Sequence, residues 1–211
     1  MKLEKRCIAV ATALLLALVC AAALSGQELL FLPASCNPIL APGPPGAWDS
    51  GTIFLPKALV HDGHVYLFYS GTAGVTPEMG PVSIGVAVSN DGLTFANWDD
   101  NPILASGSGF DAYAVSEGVP FFDGESFVLL YNARQTVGHG PGRSIGRASA
   151  PAAEGPWKKD AEAVLTVGPP GAWDSGFVSP NCVVTTQTGY VLYYSGGCDF
   201  IHGRGQLDEV R

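Results

Sequence analysis

From Asn37 onward, apolar residues fall in short runs that alternate with turn residues, and none of these runs carries the periodicity of a helix. Residues 52–56 and 58–60 are β-rich and apolar, with Pro56 limiting where ladder bonds can form. His61-Asp62-Gly63-His64 reads as a hairpin turn, with Gly63 available for positive φ. Val65-Tyr66-Leu67-Phe68-Tyr69 reads as a second strand. A Gly-rich loop follows over 70–81, and residues 83–89 alternate small and apolar side chains as a third strand. Asn90-Asp91-Gly92 makes the next turn, Leu93-Thr94-Phe95 opens a fourth strand, and residues 97–102 lead onward.

This four-strand pattern recurs. Gly-Ala-Trp-Asp-Ser-Gly occurs at 46–51 and again at 171–176, with a degenerate Gly109-Phe110-Asp111 between them. Asp49 and Asp111 are 62 residues apart, Asp111 and Asp174 are 63 apart, and Tyr69, Tyr131 and Tyr194 each follow their Asp by 20. Asn37-Pro38-Ile39-Leu40 returns as Asn101-Pro102-Ile103-Leu104, with Ala163-Val164-Leu165 a worn third version, and Ser83-Ile84-Gly85 returns as Ser144-Ile145-Gly146. A fixed period with four short antiparallel strands per unit is the sequence form of a β-propeller blade; a β-sandwich needs no such identity between its strands. The expectation is an all-β, incomplete propeller with blades of about 62 residues and between two and three blades over residues 27–211. In register, Gln206-Leu207 begins the third strand of the third repeat, and the chain stops at Arg211 before a fourth. That makes the chain a fragment, a frame-disrupted product or part of an assembly, with open sheet edges. Trp48, Phe110 and Trp173 are expected to pack between blades, the alternative being a platform on which sugars stack.

Composition fits a turn-dense β protein: 47% hydrophobic, 14% charged, 27 Gly and 16 Pro. The net charge of −8 sets the chain against phosphate backbones, so nucleic acid is not expected as a partner, whereas a neutral carbohydrate is compatible. Residues 1–26 read as a secretory signal: Lys2, Lys5 and Arg6, an apolar core over 8–18, then Ala21 to Ala23. A secreted, periplasmic or extracellular location follows. Membrane attachment would come only through an uncleaved or lipidated N-terminus, for which Cys20 is poorly flanked by Leu18-Val19. Cys36, Cys182 and Cys198 allow at most one disulfide, Cys182–Cys198 being the nearer pair. No zinc spacing appears and no cofactor is called for, although a structural calcium is compatible. His61, His64, His139 and His202 sit in turn-like or Gly-rich surroundings and read as solvated loop residues.

The run N-P-I-L-x-P-G-P-P-G-A-W-D-S-G, then G-x-x-Y-L-F-Y-S-G and S-I-G-V-A-V-S-N-D-G, resembles the five-bladed propeller superfamily of glycoside hydrolases, which includes families 43, 32 and 130. The resemblance covers roughly residues 37–195. It implies a central pocket lined by the innermost strand of each blade, where related enzymes place one carboxylate as base or nucleophile and another as general acid. Glycoside cleavage needs such a pair, because the leaving oxygen is protonated while the anomeric carbon is attacked from the opposite face.

Within the repeats, residues common to all copies serve the blade, and residues that break the pattern serve a site. Asp49, Asp111 and Asp174 are common to all copies. They read either as turn caps accepting backbone N–H bonds or as a ring of carboxylates at the channel mouth. Glu117 breaks the pattern, standing where the other copies have Leu55 and Pro180. Ser116-Glu117-Gly118-Val119-Pro120 is similar to the E-G-P stretch that carries the general acid in family 43, with Val119 inserted. The alternative for Glu117 is a polar blade residue. Arg134 stands where the other copies have Thr72 and Gly197; it is a candidate to hold substrate or pair with Glu117, or else a solvated loop residue. Residues 89–95 faintly resemble a sialidase Asp-box and read better as a hairpin turn.

Two functions therefore stand side by side. One is a secreted glycosidase with Glu117, Asp49 and Asp111 as catalytic candidates and Asp174, Arg134, Trp48 and Trp173 contacting substrate, inactive if blades are lacking. The other is a non-catalytic propeller that binds carbohydrate or protein at the cell surface. Two carboxyls converging about 5 to 9.5 Å apart would favour the enzyme.

Overall fold

The computed structural model describes residues 32–76, 80–137 and 143–198. The proposed signal over 1–26, His139, His202 and the 206–207 segment lie outside the described residues. By its contacts the chain divides into Met1–Ser35 and Cys36–Arg211, and the fold below is that of the second unit.

Three antiparallel sheets follow one another along the chain. The first is β1 (Thr52–His61), β2 (His64–Thr72), β3 (Ser83–Ser89) and β4 (Ala96–Asn97), in spatial order 1-2-3-4. The second repeats it with β5 (Ala114–Phe122), β6 (Phe127–Arg134), β7 (Arg143–Ala150) and β8 (Lys158–Lys159). The third, among the described residues, is the hairpin β9 (Phe177–Thr186) and β10 (Gly189–Gly197). The first three predicted strands match in place and order, and among the described residues the sheets do not close a ring. Among the described residues there are two four-stranded propeller-like blades and a two-stranded third sheet.

The fourth strand of the first blade starts later than predicted, at Ala96. Leu93 and Thr94 do not open β4, because Asp91 takes their backbone N–H groups at 2.8 and 2.7 Å and so holds them in the turn. Those two bonds, with one from Ser89, keep the Asp91 carboxyl well below the usual carboxylate range. Residues 89–95 are thus a hairpin turn, as expected.

The blades pack face to face through β6, whose side chains alternate between two cores. Phe127, Leu129, Tyr131 and Ala133 join Phe68, Ile84 and Val86 of the first blade. Leu130 turns the other way, to Ile145 and Val178. A strand covered on both faces is buried along its whole length, as β6 is from Phe127 to Arg134. The Asn-Pro-Ile-Leu segment straps the blade. Asn101 holds both the N–H and the C=O of Val86 at 2.9 Å, and Leu104 pairs with Ile84 at the start of β3.

The 20-residue spacing has a direct cause. Tyr69 donates its hydroxyl to Asp49 at 3.0 Å, Tyr131 to Asp111 at 3.3 Å, and Tyr194 to Asp174 at 3.0 Å. Each bond ties the loop entering an inner strand to the strand beside it. Burial and the adjacent carboxylate push all three phenols above their ordinary value. Among the described residues these aspartates accept the tyrosine hydroxyl, and no backbone N–H, through their side chains.

The aromatic before each Asp lies on that same tyrosine, and Phe110 also packs against the core that the first two blades share, as expected. Ring centroids are 5.7 Å apart for Trp48–Tyr69, 6.5 Å for Phe110–Tyr131 and 5.4 Å for Trp173–Tyr194. The fit is exact enough to be legible in the repeats. A Cβ on Gly71 would sit 2.6 Å from Trp48, and one on Gly196 would sit 2.7 Å from Trp173. The second copy, with the smaller Phe110, carries Ala133 at that place. Trp goes with Gly, and Phe with Ala.

Gly71→Ala is expected to cost about 1–3 kcal/mol by overpacking, and Trp48→Phe in the same chain to recover most of it, as the second blade already does. Tyr69→Phe, which leaves the buried Asp49 carboxylate without its hydroxyl donor, is expected to cost about 1–3 kcal/mol. Tyr194→Phe, in the more exposed third copy, is expected to shift stability less. Chemical denaturation midpoints check all four chains.

Candidate functional site

Each inner strand carries a bulge at the same point. In β1 the pairing jumps between Phe54 and Lys57, and in β5 between Ser116 and Val119. The bulged residues Leu55 and Glu117 have φ of 52° and 53°, a left-handed backbone that costs roughly 1–2 kcal/mol for a residue with a side chain. Pro180 holds the equivalent place in β9. Its ring cannot adopt positive φ, and there the extra residue is Asn181. A bulge re-aims side chains, and here Leu55, Glu117, Pro180 and Asn181 all line one cavity of about 290 Å³.

The cavity gathers residues from all three sheets: Leu55 and Lys57 from β1, Glu117 from β5, Arg143 from β7, Phe177, Ser179, Pro180 and Asn181 from β9, and Ser195 from β10. It sits where the innermost strands meet. Lys57 spans the meeting by donating from Nζ to the Asn181 carbonyl at 3.3 Å. Glu117 is fixed at its backbone, its N–H donating to Ser70 Oγ of the first blade at 3.0 Å.

Burial pushes the Glu117 carboxyl up from its ordinary value, and the charges of Arg143, Lys57 and Arg134 offset part of that rise. Among the described residues Glu117 is the one carboxyl that lines the cavity. Ser179, 6% exposed, has its hydroxyl buried with no hydrogen-bond partner, and it too lines the cavity.

The other candidates lie elsewhere. Asp49 and Asp111, 4% and 2% exposed, and Asp174 are held by their tyrosines and do not line the cavity, so they form no ring around it. Asp111 also pairs with Lys159 at 2.5 Å. Arg134 ends β6, 6% exposed with its guanidinium 5.3 Å from the centre of the Tyr113 ring; it is no solvated loop residue. Its strand partner is Arg143, and its charge reaches Glu117. Trp48 and Trp173 lie on Tyr69 and Tyr194 and do not line the cavity.

Cys36, Cys182 and Cys198 are free thiols, so the Cys182–Cys198 pairing is not made. His61 is no solvated loop residue either: it packs against Phe122 at 4.4 Å and Phe127 at 4.9 Å between ring centroids. Among the described residues no group of three or more His, Cys, Asp or Glu side chains is placed to hold a metal ion, and no helix is long and apolar enough to cross a membrane.

No protein-family model and no curated protein matches the chain. Solved structures do. A family 117 glycoside hydrolase of the marine bacterium Zobellia galactanivorans superposes with a TM-score of 0.59 at 19% identity, over 74% of this chain and 51% of that one. A thermostable family 43 glycoside hydrolase gives 0.52 at 19%, over 68% and 49%. The family 32 β-fructofuranosidase of Bombyx mori gives 0.51 at 14%, over 68% and 29%. This chain has the fold of the propeller glycoside hydrolases. It spans about half the length, or less, of the structures it matches.

Within that fold, sequence reasoning found Glu117 and overlooked Lys57 and Arg143. The signal was present. In the register that exposes Glu117, Lys57 faces Val119 and Cys182 of the other copies, and in the register that aligns Ser83-Ile84-Gly85 with Ser144-Ile145-Gly146, Arg143 faces Val82. Both break the pattern as Glu117 does.

A carboxyl raised on folding binds its proton more tightly in the native state than in the unfolded one. Stability contributed by protonated Glu117 is present below the unfolded value, near 4.5, and is lost as pH rises through the folded value. Glu117→Gln is therefore expected to flatten this part of the stability profile, gaining on the parent as pH rises. Urea midpoints measured for both chains across pH 4 to 7 check the sign.

Proposed function

We propose that this chain forms part of a secreted glycoside hydrolase whose central cavity admits an oligo- or polysaccharide, with Glu117 as the general acid. The observation that carries the reading is the placement of Glu117. It is a carboxyl raised by burial, on a bulge of an inner strand, in a cavity shared by three blades. A general acid must hold its proton near the working pH and release it to a leaving oxygen, and desolvation supplies that tendency. The propeller neighbours, which are glycoside hydrolases, support a sugar as the ligand. The apolar core and small-residue run within residues 1–26 support secretion.

The second carboxyl that the reaction requires enters this proposal from outside the described lining, because Asp49, Asp111 and Asp174 are held by tyrosines. The same observation favours a second reading, a propeller that binds carbohydrate without cleaving it. The two readings share the cavity and differ in whether a second carboxyl reaches it.

The intact protein is tested on aryl glycosides and on arabinan, xylan and fructan. The expected outcome is hydrolysis that Glu117→Gln reduces by about 10²–10⁴-fold, with less loss on substrates whose leaving group needs no proton. Hydrolysis unchanged by the substitution removes Glu117 from the reaction. Binding without turnover by the parent decides for the second reading.

A further inference from the structure

Each blade has two faces, and the repeats show what each is for. The forward face packs on the blade that follows. In the first blade Leu59, Tyr66 and Phe68 belong to it and join the core shared with the second blade. Phe121 and Leu130, which hold the places of Leu59 and Phe68, join the core shared with the third sheet. The rear face packs on the blade before. Val115, Leu129 and Tyr131 of the second blade belong to it, and Val178, Leu192 and Tyr194 of the third sheet repeat them. One interface is thus made twice within the chain, forward face against rear face.

Two faces are left over. The forward face of the third sheet carries Val184, Val191 and Tyr193 at the places of Leu59, Tyr66 and Phe68, and these three are 43%, 42% and 60% exposed. The rear face of the first blade carries Ile53, Leu67 and Tyr69 at the places of Val115, Leu129 and Tyr131. They line an apolar groove of about 360 Å³, which Asn37-Pro38-Ile39-Leu40 lines as well. Val60, at the place of Phe122, lies on the same face and is exposed. No charged residue stands at any of these places, and apolar side chains gathered on one exposed face mark an association site.

The Asn-Pro-Ile-Leu segment says what the groove is shaped for. Its later copy straps the third strand of the preceding blade, Asn101 holding Val86 and Leu104 pairing with Ile84. Leu165 pairs with Ile145 in the same way. Among the described residues Asn37 makes no side-chain hydrogen bond and Leu40 pairs with no strand. The groove is therefore the seat of a blade, and this chain carries the matching forward face on its own third sheet.

We infer that two copies of this chain associate head to tail, the forward face of the third sheet of one copy seating on the rear face of the first blade of the other. The contact continues the interface already made at the two joints within the chain. Within one copy β1 lies against β5 and β5 against β9. The new joint sets β9 of one copy beside β1 of its partner, so the partner adds a strand to the wall of the central cavity. None of this depends on the ligand being a saccharide.

Light scattering on the size-separated intact protein, over a dilution series, reads its mass. Association that rises with concentration is expected. Tyr193→Asp on the forward face and Val60→Asp on the rear face each bury an unpaired carboxylate in the joint and are expected to weaken association about thirtyfold or more. Both positions are exposed in the single copy, circular dichroism shows whether each variant is folded, and Val191→Lys repeats the forward-face test at a second exposed place. A mixture of Tyr193→Asp and Val60→Asp chains keeps one intact face of each kind. It is expected to form a one-to-one dimer that neither variant forms alone, because only unlike faces pair.

A parent that stays monomeric at every concentration overturns the inference and leaves the two faces to a different partner. Association that survives both substitutions overturns it as well, since another surface then holds the copies together. Loss with only one of the two substitutions points to like faces pairing and overturns it too, as does a mixture that stays monomeric.

Discussion

One hydrogen bond, made three times, organises this molecule. The tyrosine in the second strand of each blade donates to the aspartate of the loop that enters the first strand. That pins the entry angle of the inner strand, and the inner strand carries everything that faces the cavity. The bond is sheltered, since an aromatic ring lies over the tyrosine in every copy. A buried carboxylate without its donor would bear the full cost of desolvation. The aspartate and tyrosine are therefore mutually obligatory, and this is why their spacing stays at 20 residues while loop lengths around them vary. It also means that the most repeated acid in the sequence is occupied by structure.

The second constraint is the bulge. Leu55 and Glu117 share a left-handed backbone at equivalent places, so the bend belongs to the blade and not to the glutamate. The two blades differ in the side chain carried on a bend that the architecture already supplies. The third inner strand departs from this because Pro180 cannot follow, and Asn181 becomes the extra residue. Asn181 then offers its carbonyl to Lys57 across the cavity. A backbone incompatibility in one blade thus becomes a bridge to another.

Much of this was legible in the sequence. The Asp–Tyr interval, the strand runs and the incomplete blade count all read directly, because they rest on spacing, which a repeat displays. The compensation of Trp48 with Gly71 and of Phe110 with Ala133 was present in the letters, but it needed the contact to give it meaning. The fourth strand of the first blade was placed too early, since the Asp91 side chain competes for the backbone of Leu93 and Thr94, and propensity does not weigh that competition. Lys57 and Arg143 were overlooked for another reason. A charge on a short strand ordinarily marks a solvent face, and only the convergence of β1, β5 and β9 turns it inward. The burial of Arg134 was hidden likewise, because the coverage of β6 on both faces comes from two different blades.

Charge decides how the site is to be understood. Arg143, Lys57 and Arg134 all act on Glu117 through their charge. Coulomb attraction to these cations favours ionised Glu117, while burial favours the protonated form, and burial is the larger effect. The more the glutamate stays protonated, the more positive the cavity becomes.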